Sequence, residues 1–239
     1  MRTRLENAPA LRNAIRGALL VLLLFTMTPA CASRQFAEAP ARTLAEYRHR
    51  QVREGITVAI DPVAEEARAK DFFGFNLIQY GVFPVYVTIT NNSGQPVRQS
   101  RDMFFLRNMD GTRLKPLYDH EVALPELKKR VESARVANVV SFGLMGLLAP
   151  PNMDHADMNE IDLNIRKKAL KDRMVFPGET NSGFIFFYTT YPKNIERVEL
   201  LALSLARIGS GELTNRIEYD FPLQGIKTKL EVPRHEPEN

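Results

Sequence analysis

Cysteine, tryptophan and histidine are scarce: the 239-residue sequence holds one Cys, no Trp and four His. A lone Cys cannot close an internal disulfide, so the fold must be held by burial, and a 44% hydrophobic chain has the apolar surface for it. With 13 Gly and 15 Pro, the composition excludes collagen-like and wholly disordered classes. Zinc-type His or Cys spacing, calcium-loop patterns, a P-loop and a dinucleotide fingerprint are absent, so no cofactor is implied. There is no G-x-S-x-G elbow and no second Cys for redox exchange. No apolar run reaches the roughly 20 residues needed to cross a bilayer as a helix.

The N-terminus is organised differently from the rest. Arg2, Arg4, Arg12 and Arg16 stand against Glu6 alone, and no further charge occurs until Arg34. Between them lies the apolar run from Ala18 to Met27, followed by Thr28-Pro29-Ala30-Cys31-Ala32-Ser33. A basic segment, an apolar run of about 10 residues and a small-residue site make the three-part pattern of a secretory signal peptide, here residues 1–30. The single Cys sits where that signal ends.

Ala30-Cys31 resembles the small-residue-then-Cys core of a bacterial lipoprotein signal. The resemblance implies diacylglycerylation of the Cys31 thiol, cleavage before it, and acylation, typically with palmitate, of the new amino group. Ala32 rather than Asp at the next position implies sorting to the outer membrane. Thr28 and Pro29 depart from the family pattern, and Ala30-Cys31-Ala32 also reads as an A-x-A cleavage site that would release a soluble periplasmic binding protein. The resemblance covers about the first 33 residues and implies nothing about the folded part.

Loss of the signal changes the charge balance. The chain has 32 basic and 28 acidic residues, and without residues 1–30 it has 28 and 27. A nearly neutral exported chain lacks the basic surface that nucleic-acid binding needs, so no nucleic-acid partner is expected.

Residues 31–43, rich in Ala, Ser, Arg and Pro, read as a tether. Thr43 to Glu54, with Arg48, His49, Arg50 and Arg53, reads as a weak helix with a solvated basic face. From Gly55 the period becomes two. Ile56, Val58 and Ile60 predict a strand with one apolar face and one facing solvent. Ala64 to Lys70 suggests one or two helical turns. Val85 to Thr90 is a β-branched strand, Asn91-Asn92-Ser93-Gly94 a turn, Met103 to Leu106 and Thr112 to Leu117 further strands, together predicting an antiparallel meander. Gly183 to Thr189 reads as a strand buried on both faces, Val198 to Ile208 as a long strand, Gly209-Ser210-Gly211 as a turn, and Ile217, Tyr219, Phe221 and Leu223 as the buried side of a last strand. About seven strands predict a mainly β, immunoglobulin-like antiparallel sandwich over residues 44–225, followed by a polar tail at 226–239.

A helical insertion is expected at about 121–173. Its first helix runs from Pro125 into an uncharged stretch containing Phe142, Leu144, Met145, Leu147 and Leu148, and ends before Pro150-Pro151. Those five side chains are candidates for burial, for contact with a protein partner, or for contact with the membrane. A second helix follows. Asp157 and Glu160 have capping-box spacing, Ile161, Ile165 and Ala169 share one face, and Arg166, Lys167, Lys168 and Lys171 gather at the C-terminal end.

Candidate chemistry is sparse. Asp154, His155, Asp157, Glu160 and Asp162 are dense in possible ligands, but capping already accounts for two of them. Asp119-His120-Glu121 lies between a strand and a helix, and His49 and His235 stand in polar surroundings. No catalytic residue is named. The pattern as a whole predicts a lipid-anchored envelope protein, held to the membrane through acyl chains on Cys31, acting as a non-catalytic binding or assembly module for a protein partner. An envelope hydrolase with a site assembled only on folding is the alternative, because such a site leaves no local motif.

Overall fold

Ten strands arranged in two antiparallel sheets make the protein a β-sandwich, in a computed structural model that describes residues 36–38, 42–118, 122, 155–189, 192–209 and 212–228. The first sheet has the order β1(His49–Arg53), β2(Ile56–Pro62), β3(Val82–Asn91), β8(Thr180–Tyr188). The second contains β4(Val97–Gln99), β5(Phe104–Asn108), β6(Arg113–Leu114), β7(Arg173–Val175), β9(Val198–Gly209) and β10(Glu212–Pro222). Its spine is β9, which pairs with β10 along one edge and with β5 and then β4 along the other. Two helices are described, α1(Glu66–Phe73) and α2(His155–Lys168).

Register explains why β2, β3 and β8 of the first sheet are buried on both sides while β1 at its edge stays largely exposed. Ile60 faces Val87 across β2 and β3, Val58 faces Ile89, and Val85 faces Ile185 on β8; this set looks into the sandwich. There Asn181 Nδ2 donates to Gln99 Oε1 of the second sheet at 2.7 Å. On the opposite face Asp61 lies beside Tyr86, and Tyr86 beside Phe184. That face meets α1: the Phe73 ring stands 4.9 Å from Phe184 and 5.5 Å from Phe186, edge-on, and Tyr86 lies 5.0 Å from Phe184. Edge-to-face pairs of this kind contribute about 1 kcal/mol each beyond the area they bury. The reading of β8 as buried on both faces therefore holds, and Ile217, Tyr219 and Phe221 are buried while Glu218 and Asp220 are exposed, as their alternation indicated.

Four expectations are corrected. Thr57 and Ala59 are buried rather than solvent-facing, because that face of β2 is covered: Tyr47 bonds to Thr88 beside Ala59, and Arg68 of α1 reaches Asp61 at 2.7 Å. The stretch Thr43 to Glu54 is not a helix. It holds a short 3-10 turn at Leu44–Glu46 and then β1, because Glu54 and Gly55, both at positive φ, close a two-residue hairpin turn that pairs β1 with β2. The consecutive strands do not form a meander: β3 and β4 belong to different sheets, and only β1–β2, β5–β6 and β9–β10 are local hairpins, with β2–β3 joined through α1. Finally, α2 is already helical at His155, so Asp157 is inside the first turn and not at the cap.

The face assignment of α2 holds. Ile161, Ile165 and Ala169 are buried, and Arg166, Lys167 and Lys168 occupy the last turn. The first helix of the expected insertion, including Phe142, Leu144, Met145, Leu147 and Leu148, lies outside the described residues, as do Cys31, the signal segment and residues 229–239.

Candidate functional site

The helical layer leaves a cavity of about 400 Å³ where the C-terminal end of α2, the edge of the first sheet and the segment Phe36–Glu38 come together. Its walls come from Tyr86 of β3, Ser182 and Gly183 of β8, Asn164, Lys167 and Lys168 of α2, and from Phe36 and Glu38. The N-terminal segment is pinned there by backbone chemistry. Ala37 N donates to Asp71 O at 2.8 Å, at the end of α1, while Lys168 Nζ donates to Ala37 O. Lys168 Nζ also donates to Phe72 O at 2.6 Å, and Asn164 Nδ2 donates to the same carbonyl at 2.8 Å. Residues 36–38, within the stretch read as a tether, are thus held against the fold.

Two glycines make this junction possible. A Cβ at Gly74, which ends α1 at φ 68°, would sit 2.2 Å from the Phe36 ring. A Cβ at Gly183 would sit 2.6 Å from the backbone of Leu170, where the chain leaving α2 passes along the edge of β8 and Leu170 N donates to Phe184 O. An isolated glycine within a strand marks such close backbone approach.

Lys168 is the chemically unusual group. Burial lowers its pKa to about 8 from 10.5, with Lys167 adding repulsion and Glu38 partly opposing the shift. A depressed lysine is suited to nucleophilic or base chemistry when its amine is free to meet a substrate. Here the amine is engaged by two carbonyls and lies 5.8 Å from the Phe36 ring centroid, so the geometry makes it a clamp on the N-terminal segment. Among the described residues the lining carries one carboxylate, Glu38, and no histidine. Among the described lining residues there is no carboxylate pair and no Ser–His contact.

The residues singled out in the sequence are dispersed. Glu160 is half-buried on α2, and Asp162 is 3.8 Å from Arg166 in an i,i+4 pair. His155 and Asp157 belong to the backbone of α2, while Asp154, Asp119, His120, Glu121 and His235 lie outside the described residues. His49 is half-buried on β1, where burial and then Arg48 lower its pKa. Among the described residues no group of three or more His, Cys, Asp or Glu is placed to hold a metal. No described helix is long and apolar enough to cross a membrane. β9 ends at Gly209 and β10 begins at Glu212, paired with each other; Ser210 and Gly211 lie outside the described residues.

Sequence reasoning missed the cavity. Lys168 was one of four cations at a helix end, and nothing local distinguishes the one that is covered. Phe36, a lone aromatic among Ala, Arg and Pro, was the available signal for docking, and Gly183 was the signal for close approach.

No family model matches the chain, and no curated protein matches it. Among solved structures, the chain is similar to the yjhA protein of Bacillus subtilis, with 11% identity, TM-score 0.41, and coverage of 73% of this chain and 95% of that one. It is also similar to MPT63, a secreted protein of Mycobacterium tuberculosis, with 14% identity, TM-score 0.30, and coverage of 62% and 76%. A protein of unknown function from Listeria monocytogenes EGD-e has 11% identity, TM-score 0.34, and coverage of 73% and 80%. Resemblance this distant does not bear on what the chain does.

Proposed function

We propose that the protein is a bacterial envelope lipoprotein whose sandwich serves as a non-catalytic binding or assembly module. The observation that carries this reading is the position of the sole cysteine, Cys31, at the end of a basic-then-apolar leader. The described fold supports it in one way: the chain is held on the domain from Phe36 onward, close behind the residue that would be acylated. Anchoring at the periplasmic face of the outer membrane follows from Ala32. The partner is an envelope protein, with Phe142, Leu144, Met145, Leu147 and Leu148 as the surface for it or for the bilayer.

Radiolabelled palmitate fed to cells expressing the full chain tests the anchor. Incorporation into the wild type and its loss in Cys31→Ser is the expected result; label retained by Cys31→Ser, or absent from the wild type, overturns it. Crosslinking in intact cells followed by purification tests the module, with a recurrent envelope protein expected and lost on replacing Leu144 and Leu147 by Asp.

A further inference from the structure

The exposed side of α2 carries an unusual combination. Leu163 is 69% exposed, and Arg166 and Lys167, one turn further on, are exposed beside it. Lys167 lines the same cavity as Phe36 and Glu38, so the docked N-terminal segment and this stripe belong to one side of the domain. A bulky apolar side chain flanked by long cations is suited to a lipid surface, where the leucine enters the acyl boundary and the cations reach headgroup phosphates. Lys171 Nζ donates to Arg166 O, and the Arg166 side chain is exposed to solvent. Among the described residues the acidic groups nearby are Glu38, Asp162, which is 3.8 Å from Arg166, and Glu160, one turn before Leu163 on the same face.

Chain length supplies the second argument. Cys31 and Phe36 are separated by a stretch that spans at most about 18 Å when fully extended. A unit of about 200 residues is on the order of 40 Å across. Once Phe36 is docked, an acylated Cys31 therefore cannot let the domain turn its far side to the bilayer. The geometry points to the Leu163–Arg166–Lys167 face of α2 as the surface that lies on the membrane, recognising anionic phospholipid headgroups and fixing the orientation of the whole sandwich. This inference rests on acylation of Cys31, which is read separately in the test.

The acylated mature protein, beginning at Cys31, is reconstituted into vesicles of phosphatidylethanolamine and phosphatidylglycerol containing a spin-labelled lipid. A fluorophore is placed by Leu163→Cys or, as the distal control, by Met109→Cys in the β5–β6 turn of the other sheet, where Met109 is exposed. Mass spectrometry of the same preparation reports the acyl chains. Lipid quenching at 163 is expected to exceed that at 109 at least about threefold, and to fall toward the control in Arg166→Glu/Lys167→Glu, since each cation near an anionic surface favours contact about fivefold. Acyl mass present with equal quenching at the two sites overturns the orientation and leaves the anchor standing. Missing acyl mass overturns the anchor and this inference with it. Unchanged quenching at 163 in the doubly reversed variant, or in vesicles of phosphatidylcholine alone, overturns headgroup recognition.

Discussion

Lys168 shows how a single side chain joins two distant parts of the sequence. Its amine bridges Ala37 O and Phe72 O, and a neutral amine still has two protons for those two acceptors. Because burial lowers its folded pKa to about 8 while the unfolded chain retains 10.5, the unfolded state binds more protons between those values. Stability from this residue is therefore lost as pH falls toward 8 and gained as pH rises toward 10.5. Urea titrations of the wild type and Lys168→Met across that range will give a stability difference that rises with pH in favour of the wild type. A flat difference refutes the shifted lysine.

Between elements, the decisive contact is made by Asn91, the last residue of β3. Its side chain is fully buried, accepting from Ser93 N at 2.9 Å and Ser93 Oγ at 2.6 Å, and donating to Gln95 O at 2.9 Å and Val175 O at 2.8 Å. The same residue's backbone accepts from Gly178 N and donates to Glu179 O. All of its polar capacity is satisfied, and it ties the β3–β4 arch to the turn between β7 and β8. Asn91→Leu, close in volume, removes the side-chain partners of Val175 O and Ser93 N and leaves Gln95 O with Ser93 Oγ as its side-chain donor, so a loss of about 2–3 kcal/mol is expected. A lowered denaturation midpoint with an unchanged m-value will report it; a midpoint within error of wild type contradicts the assignment.

At the scale of the whole molecule, Tyr219 links the two sheets. It lies on β10 of the second sheet, and its hydroxyl donates to Ile56 O at 3.1 Å in the β1–β2 hairpin of the first, with Arg53 5.8 Å from its ring. Burial raises its pKa to about 12 from 10.0. Its contribution is fully present below pH 10 and is lost as pH rises through 12, because only the unfolded chain ionises in that window. Tyr219→Phe should cost about 1 kcal/mol at neutral pH through the lost hydrogen bond. The gap between variant and wild type should then close between pH 10 and 12, as followed by circular dichroism. A constant gap means that the hydroxyl is not held between the sheets.

Periodicity made a large part of this architecture legible. Alternation along β10, the uniformly apolar run in β8 and the 3.6-residue spacing of Ile161 and Ile165 depend only on neighbours along the chain, and each matches the burial found. The proposed signal and its cysteine are likewise read from linear features. What the sequence alone could not determine was which strands pair and which second faces are covered. The β3–β4 arch looks like a hairpin turn until Asn91 is seen bonding across to Val175, and the second face of β2 looks solvent-facing until Tyr47 and Arg68 are seen lying over it. Lys168 belongs to the same class: desolvation and two carbonyl acceptors set its chemistry, and both are supplied by residues roughly 100 or more positions away, which no local spacing can encode.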